Sequence, residues 1–170
     1  MSKIAVFGSA FNPPSIGHQS VIESLMHFDR VLLVPSISHA WGKEMLDYAK
    51  RCDLVEAFIK DLSLKNVELS RIEERLYKPE QSVTTYAVLK EIQSEYPDDS
   101  LTFVIGPDNL FNFGKFYQAD KILEAWSVMA CPETVKVRST DIRVRIARDQ
   151  DISSLTTPRV CKLLAESRHY

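Results

Sequence analysis

The sequence lacks several features that would point to particular classes of protein. It has only three cysteines, Cys52, Cys131 and Cys161, which stand far apart and in no paired metal-ligand spacing. We expect them to be reduced thiols, since structural disulfides belong to oxidising compartments. No apolar run approaches the length of a membrane span, and the first residues show no signal-peptide pattern. We therefore expect a cytoplasmic protein with no membrane partner.

An excess of charge of one sign is also missing. Lys and Arg number 21 and Asp and Glu 23, which gives a formal net charge of −2. This balance does not indicate a nucleic-acid partner, so any cationic site must be a local cluster. The length of 170 residues fits a single domain over residues 1–170. A homo-oligomer is compatible with the sequence, which does not fix the oligomeric state.

Short apolar runs alternate along the chain with longer segments of helical period. Strands are predicted over residues 4–7, 31–34, 67–72, 101–105 and 127–131. Helices are predicted over residues 16–28, 44–62, 82–96, 119–125, 139–148 and 157–167, with Ser82 and Thr157 as caps. This order predicts a doubly wound α/β fold, a mainly parallel sheet with helices on both faces. Ligands of such sheets bind at the carboxyl ends of the strands.

The loop after the first predicted strand combines a glycine, adjacent prolines and a histidine. Its sequence is Gly8-Ser9-Ala10-Phe11-Asn12-Pro13-Pro14-Ser15-Ile16-Gly17-His18. Gly8 would let the backbone turn tightly and approach a ligand closely. Free N–H groups at the helix start near Gly17 would favour a phosphate, with His18 beside it. A plain strand–helix connection explains the same residues, because a glycine-containing turn alone is a weak signal.

The same loop resembles the first ATP signature of nucleotidyltransferases that adenylylate mononucleotides. Within that superfamily it most resembles the nicotinate (or nicotinamide) mononucleotide adenylyltransferase family. The resemblance lies in Gly8, Phe11, Pro13, Gly17 and His18. It implies a Rossmann-like fold and ATP contacts from this loop, including Ser9 and Ser15. Ser15 stands where the family usually has the first of two histidines, and a serine can donate one hydrogen bond but carries no charge.

A second phosphate-binding pattern stands near the other end of the chain, in Ser139-Thr140-Asp141-Ile142-Arg143. Hydroxyls at a helix start normally cap the helix. Together with free amides and Arg143 they also make an anion site. The stretch resembles the family's second ATP signature, which implies that Ser139, Thr140 and Arg143 meet the ATP phosphates from the opposite side. Arg138 stands at a position often held by serine.

Three further segments resemble parts of the family that contact the mononucleotide. Gly106 and Asp108 follow the fourth predicted strand, where a turn that caps a helix is the plain alternative. Ser82 and Thr85 would approach the nicotinate end, although capping alone explains Ser82 equally well. Phe116 falls where the family has a tryptophan that stacks on the pyridine ring, and a core aromatic is its alternative.

Basic residues after the second predicted strand complete the candidates. Lys43 and Arg51 would ordinarily form a solvated helix face. In the family, a lysine follows this strand and an arginine comes about two turns later. The resemblance therefore implies Lys43 as a phosphate contact and Arg51 as a positioning partner at the mononucleotide site. His39 is a further candidate.

The resemblance implies an enzyme of NAD biosynthesis that joins ATP to nicotinate (or nicotinamide) mononucleotide and releases pyrophosphate. His18, Lys43 and Arg143 would supply hydrogen-bond donors and positive charge. Mg²⁺ is the expected cofactor, bound through phosphate oxygens with few protein ligands. Two alternatives stay open: an enzyme resembling pantetheine-phosphate adenylyltransferase, and a nucleotide-binding protein with impaired catalysis. The second is motivated by Ser15 and by the short segment before Arg138.

Overall fold

Five parallel strands form the central sheet of the computed structural model, which describes residues 1–38, 45–166 and 170. The strands are β1 (Lys3–Ser9), β2 (Arg30–Pro35), β3 (Val67–Leu69), β4 (Ser100–Ile105) and β5 (Ser127–Ala130). Their order is β3-β2-β1-β4-β5, and every neighbouring pair runs parallel. The order reverses at β1, so the carboxyl ends of β1 and β4 flank a switch point where ligands of such sheets bind.

Eight described helices connect and cover these strands. They are α1 (Ile16–Glu23), α2 (Tyr48–Leu62), α3 (Ile72–Leu76), α4 (Thr85–Glu95), α5 (Pro107–Phe111), α6 (Ala119–Ala125), α7 (Ser139–Ala147) and α8 (Pro158–Glu166). A 3-10 turn at Phe113–Lys115 follows α5. Among the described residues, no helix is long and apolar enough to cross a membrane.

Alternation along β1 divides the hydrophobic core into two layers. Ala5 and Phe7 point to one face of the sheet, where they pack with apolar residues of α1, α2, α7 and α8. Ile4 and Val6 point to the other face, where they pack with α3, α4 and α6. Successive side chains of a strand alternate between faces, so a strand buried on both faces must be apolar throughout. This arrangement confirms the predicted Rossmann-like fold, with helices on both faces of a parallel sheet.

Several predicted boundaries were wrong for local reasons. The strand predicted over residues 67–72 ends at Leu69, because Ile72 begins the short helix α3. The helix predicted from residue 16 to residue 28 ends at Glu23, and turns follow it. Thr84, not Ser82, caps α4, accepting a hydrogen bond from the N–H of Ala87 at 3.2 Å.

The starts of two other helices lie closer to their predicted positions, and one helix was not predicted. In its described part, the helix predicted over residues 44–62 begins at Tyr48, and Asp47 caps it by accepting from the N–H of Lys50 at 2.9 Å. Pro158 is the first residue of α8, as predicted. The short helix α5 was not predicted, because a segment rich in Gly, Pro and Asn has no apolar helical period.

Truncation of a buried leucine on α4 should test the second core layer. Leu89 is completely buried, whereas Leu123 on α6 is 57% exposed. We expect Leu89→Ala to lower the free energy of unfolding by about 2–5 kcal/mol, because it removes buried contacts and leaves a cavity. Leu123→Ala, the same substitution at an exposed helix position, should change it by less than about 0.5 kcal/mol. Urea unfolding followed by circular dichroism measures both, and equal losses would contradict the assigned packing.

Candidate functional site

A cavity of about 600 Å³ opens at the carboxyl ends of β1, β4 and β5. The switch in strand order places it there, between the end of β1, the first turns of α1, the loop after β4 and the segment that leads into α7. Seven residues predicted from the sequence line its wall: Gly8, Ser9, His18, Gly106, Asp108, Ser139 and Thr140. Residues that the sequence places about 130 positions apart therefore share one cavity.

The loop after β1 turns at Phe11 and not at Gly8. Gly8 lies inside β1, whereas Phe11 has a left-handed backbone with φ of 50°. A Cβ atom on Gly8 would have the carbonyl oxygen of Val34 as its nearest neighbour, at an ordinary 3.8 Å. The expectation that Gly8 makes a tight turn was therefore wrong. Gly8 lines the cavity without a side chain, which leaves space at the strand end.

Phe11 supports the histidine and does not line the cavity wall described above. Its side chain is completely buried, and its ring centroid lies 4.7 Å from that of His18. The aromatic ring thereby fixes one side of the imidazole. Its place in the first signature is explained by packing.

A reciprocal cap at the start of α1 sets the protonation of His18. The Ser15 hydroxyl accepts from the N–H of His18 at 3.3 Å, and the His18 Nδ1 atom accepts from the N–H of Ser15 at 3.0 Å. A backbone N–H can only donate, so Nδ1 carries no proton. We therefore assign the proton to Nε2, which donates to the Ser9 Oγ atom at 3.0 Å.

His18 is neutral in the free protein. Desolvation by burial lowers the pKa of His18 from 6.5 to about 4. The cap acts in the same direction, because a proton on Nδ1 would face the N–H of Ser15, donor against donor. The expectation of a positive charge on His18 does not hold in this state. The imidazole is an oriented neutral donor.

Ser15 and Gly17 fasten α1 to the segment before α7. The Ser15 side chain is buried, and its hydroxyl donates to the carbonyl oxygen of Val137 at 3.2 Å. A Cβ atom on Gly17 would lie only 2.1 Å from that same carbonyl oxygen. Both residues were predicted to contact ATP, but the structure places them in a packed contact behind the cavity wall.

The second signature binds the backbone of the first. Residues from α7 and the segment before α8 donate to three consecutive carbonyl groups of the first loop. The pairs are Arg143 Nη1 to Asn12 at 2.6 Å, Ser139 Oγ to Pro13 at 2.7 Å and Thr156 Oγ1 to Pro14 at 2.8 Å. That the two signatures face each other across the ATP phosphates stays a prediction, and the structure shows the two in direct contact.

The exposed cations of the cavity wall were not identified from the sequence. Lys136 and Arg138 line the cavity and are exposed. Two acidic residues line it as well, the exposed Asp108 and the half-buried Glu133. Arg138 had been noted only as a departure from the second signature. The sequence did contain a signal for these cations, because Lys136 and Arg138 stand close together just before that signature. The predicted cation Lys43, like His39, lies outside the described residues.

The guanidinium groups of Arg143 and Arg51 donate hydrogen bonds to backbone carbonyl groups. Arg143 uses Nη1 for Asn12 and donates through Nη2 to the Thr140 Oγ1 atom at 3.1 Å. Arg51 is 1% exposed and donates to the carbonyl oxygens of Leu46 at 2.8 Å, Ala10 at 2.8 Å and Ser36 at 2.6 Å. Desolvation by burial lowers the pKa of Arg51. Its guanidinium therefore holds the loops after β1 and β2 to the segment before α2, away from the cavity wall.

Three residues predicted at the mononucleotide end do not line this cavity. Ser82 is exposed and precedes α4, and Thr85 is half-buried in its first turn. Phe116 packs into the second core layer, with its ring centroid 5.0 Å from that of Phe113. Of the residues predicted for that end, Gly106 and Asp108 remain at the wall.

Substitution of Gly17 should expose the tight contact with Val137. In a helix, glycine to alanine is ordinarily stabilising by about 1 kcal/mol. Here the added methyl group would overlap a carbonyl oxygen, so we expect Gly17→Ala to lower the free energy of unfolding by about 1–3 kcal/mol. Gly114→Ala is the matched control, since a Cβ atom there meets nothing within 4 Å. Chemical denaturation of both variants provides the comparison, and a stabilised Gly17→Ala protein would contradict the contact.

The neutral state of His18 predicts a pH dependence of stability. Its folded pKa of about 4 lies below the ordinary value of 6.5, so between these values the unfolded chain binds a proton that the folded chain does not. The contribution is present above pH 6.5 and is lost as the pH falls towards 4. His18→Gln should remove this part of the slope, whereas substitution of the exposed His27 by Gln should retain it. Unfolding free energies across this range measure the effect, and nitrogen NMR of the ring should show Nε2 protonated.

Comparisons with known proteins agree with this geometry. The family model for cytidylyltransferase-like proteins matches residues 6–155. A protein of Exiguobacterium sibiricum assigned as a nicotinate-nucleotide adenylyltransferase is 27% identical, over 99% of this chain and 98% of its own length. An Anaeromyxobacter dehalogenans protein with the same assignment is 25% identical, over 99% and 96% of the two chains.

Solved structures show the same fold. A Vibrio parahaemolyticus crystal structure, also assigned as a nicotinate-nucleotide adenylyltransferase, has 61% identity and a TM-score of 0.89, covering 97% of this chain and 99% of that one. The Plasmodium falciparum nicotinic acid mononucleotide adenylyltransferase complexed with NaAD has 13% identity and a TM-score of 0.77, over 98% and 96% of the chains. The cavity between two phosphate signatures, the family match and the 61% identity lead to one assignment: the chain belongs to the cytidylyltransferase-like nucleotidyltransferases, and within them to the nicotinate-nucleotide adenylyltransferase family.

Proposed function

We propose that this protein transfers the adenylyl group of ATP to nicotinate mononucleotide, forming the dinucleotide and pyrophosphate in NAD biosynthesis. One observation carries the proposal: the first loop and the start of α7 meet at a single cavity at the switch point of the sheet. The assignments of the relatives, one of which is 61% identical, support the same activity.

The reaction needs alignment and charge neutralisation. A phosphate oxygen of the mononucleotide attacks the α-phosphorus of ATP and forms a new P–O bond. The bond from the α-phosphorus to the bridging oxygen breaks, and pyrophosphate leaves with the electron pair. Both reactants are anions, so the protein acts by holding them in line and by stabilising the charge that grows on the leaving group. No nucleophilic side chain is required.

Phosphate binding is assigned to the wall between α1 and α7. Ser139 and Thr140, the first two residues of the nine-residue helix α7, line the cavity, and free amides at a helix start favour a phosphate. Lys136 and Arg138 supply positive charge from exposed positions. Ser9 and His18 also line the cavity, where the Nε2–H of His18 donates to the Ser9 hydroxyl. Arg143 acts by holding the first loop, and Lys43, outside the described residues, stays a proposed phosphate contact.

Asp108 is the residue proposed to face the mononucleotide. It lies on the cavity wall at the carboxyl end of β4, two residues after Gly106, and its exposed carboxylate can accept from a ribose hydroxyl. The structure gives the predicted contacts of Ser82, Thr85, Phe116 and Arg51 no support, so we leave them out of the proposed site.

We propose Mg²⁺ as a cofactor that is bound mainly by phosphate oxygens of the substrates. Within the described ranges, no group of three or more His, Cys, Asp or Glu residues could hold a metal ion. This donor set fits Mg²⁺, which is usually held by one or two carboxylates with substrate phosphates and water, and the described carboxylates that line the cavity are Asp108 and Glu133. When bound, Mg²⁺ would neutralise phosphate charge.

Pyrophosphate release tests the proposed function directly. The protein, ATP and Mg²⁺ would be combined in turn with nicotinate mononucleotide, nicotinamide mononucleotide and phosphopantetheine. We expect the fastest release with nicotinate mononucleotide. A preference for phosphopantetheine would contradict the assignment of nicotinate mononucleotide as the substrate. If ATP binds but no acceptor gives pyrophosphate, the protein is instead a nucleotide-binding protein with impaired catalysis, the alternative that the serine at position 15 suggests.

Removal of the exposed cations should weaken ATP binding without loss of stability. Lys136→Ala and Arg138→Ala each remove one positive charge from the cavity wall, and we expect the KM for ATP to rise about 5- to 50-fold, which corresponds to roughly 1–2 kcal/mol of a charged hydrogen bond. Arg148→Ala removes an exposed arginine at the far end of α7 and should leave the KM unchanged. Initial-rate kinetics over ATP concentration decide this, and an unchanged KM in both cavity variants would exclude the assigned contacts.

A further inference from the structure

The peptide group between Ser36 and Ile37 is held at both of its polar ends by charged side chains. Its carbonyl oxygen accepts a hydrogen bond from Nη1 of Arg51 at 2.6 Å. Its N–H donates to Oε1 of Glu73, in α3, at 3.1 Å. A guanidinium therefore faces the negative end of the peptide dipole, and a carboxylate faces its positive end. A half-turn of the peptide plane would direct the oxygen at the carboxylate and the N–H at the guanidinium, so the two side chains fix one orientation.

The same peptide group is linked to the wall of the candidate cavity. It follows directly on the bond in which the N–H of Ser36 donates to the carbonyl oxygen of Ser9, the last residue of β1, at 3.0 Å. Ser9 lines the cavity. Nη1 of Arg51, which carries two hydrogens, also donates to the carbonyl oxygen of Ala10 at 2.8 Å. The chain beyond β2 and the first loop therefore share one guanidinium nitrogen, which couples the orientation of this peptide to the end of β1.

Glu73 is half-buried, and the described charges around it come from three helices. From α2, the charge of Arg51 favours the ionised form of Glu73, and Glu73 in turn raises the pKa of the Tyr48 hydroxyl. The neighbouring charges of α3 and α4 form exposed ion pairs, Glu74 with Arg71 and Arg75 with Glu95. Desolvation by burial is the largest influence and raises the pKa of Glu73 to about 7. The carboxyl group therefore changes its charge near neutral pH.

We propose that Glu73 is a positioning residue of the adenylyl transfer, whose carboxylate, opposite Arg51, orients the Ser36–Ile37 peptide group and with it the ends of β1 and β2. This assignment rests on the proposed function and adds to it a residue that does not line the cavity and acts through the backbone. An ionised carboxylate accepts a stronger hydrogen bond than a neutral carboxylic acid. Protonation of Glu73 also removes the charge that balances Arg51 across the peptide, so the peptide is held more firmly at high pH than at low pH.

Glu73→Gln tests the assignment through a pH profile, because it keeps the shape and an acceptor oxygen but removes the charge. At pH 8 we expect its kcat/KM for ATP to be about 3- to 10-fold below that of the unmodified protein. At pH 6 the two should agree within about twofold, since Glu73 is then already protonated. His18 and the substrate phosphates titrate alike in both proteins, so the ratio of the two rates isolates Glu73.

The control for this profile is Glu56→Gln, at an exposed glutamate of α2. Its kcat/KM relative to the unmodified protein should stay near one at both pH values. A ratio for Glu73→Gln that is the same at pH 6 and pH 8 would overturn the proposal.

Thermal stability separates positioning from a purely structural role. The folded pKa of Glu73, about 7, lies above the ordinary value of 4.5, so between these values the folded chain holds a proton that the unfolded chain has released. The stability that this contributes is present below pH 4.5 and is lost as the pH rises through 7. Because glutamine does not ionise, the melting temperature of Glu73→Gln relative to the unmodified protein should rise with pH while its relative activity falls. Parallel losses of stability and activity with rising pH would show a structural role and overturn the proposal.

The amide resonance of Ile37 reports the contact in the unmodified protein, independently of activity and of any variant. Its N–H donates to Glu73, so its proton and nitrogen shifts should titrate with a midpoint near pH 7. In Glu73→Gln this titration should disappear. An Ile37 amide in the unmodified protein whose shifts do not change across this range would show that the carboxylate does not hold the peptide, and would overturn the proposal.

Binding separates failure of this proposal from failure of the proposed function. If the unmodified protein releases no pyrophosphate with any acceptor, the proposed function fails, and calorimetry with α,β-methylene ATP then decides the role of Glu73. Glu73→Gln should bind the analogue about 3- to 10-fold more weakly than the unmodified protein at pH 8, and with similar affinity at pH 6. Equal affinity at both pH values, or no binding by the unmodified protein, would overturn the assignment of Glu73.

Discussion

The candidate site depends on three hydrogen bonds to the carbonyl groups of Asn12, Pro13 and Pro14. Their donors are the side chains of Arg143, Ser139 and Thr156, and together we call these contacts the clamp. Pro13 and Pro14 have no backbone N–H, so this stretch cannot pair in a ladder as a strand would. Its carbonyl groups are satisfied instead by side chains from α7 and the segment before α8. The clamp joins the two ends of the chain across the sheet edge and fixes the start of α1 beside the start of α7.

Neutral and charged groups occupy different positions at the cavity wall. At the enclosed wall, Ser9 and His18 form a neutral hydrogen-bond chain, while Lys136 and Arg138 stand at exposed positions. A buried cation without a partner would be costly, and the low pKa of His18 reflects that cost. Burial of a neutral donor costs less solvation free energy than burial of a cation, whereas exposed cations keep their hydration until a phosphate binds.

Among the described residues, Arg51 is the buried cation of the protein, and its contacts explain how the burial is tolerated. Its guanidinium donates to carbonyl oxygens from three segments, and these dipoles replace the water that it has lost. Burial also raises the pKa of nearby Glu73 to about 7, although the N–H of Ile37 and the charge of Arg51 favour its ionised form. The loops after β1 and β2 are thus held together on the side of the sheet that faces α2.

Much of this protein is determined by local sequence. The alternation of apolar runs sets a parallel sheet covered on both faces, because a strand such as β1 can be apolar throughout only when both faces are buried. The signature residues at both ends of the chain were also recognisable from their types and order. Local sequence did not determine which group each of these residues contacts in the folded protein. The structure decided that Ser15 and Gly17 pack against Val137, that Arg51 and Arg143 hold backbone carbonyls, and that Ser9 reaches the cavity. These roles depend on contacts between residues far apart in the chain, and no periodicity or propensity records which distant group a side chain will meet.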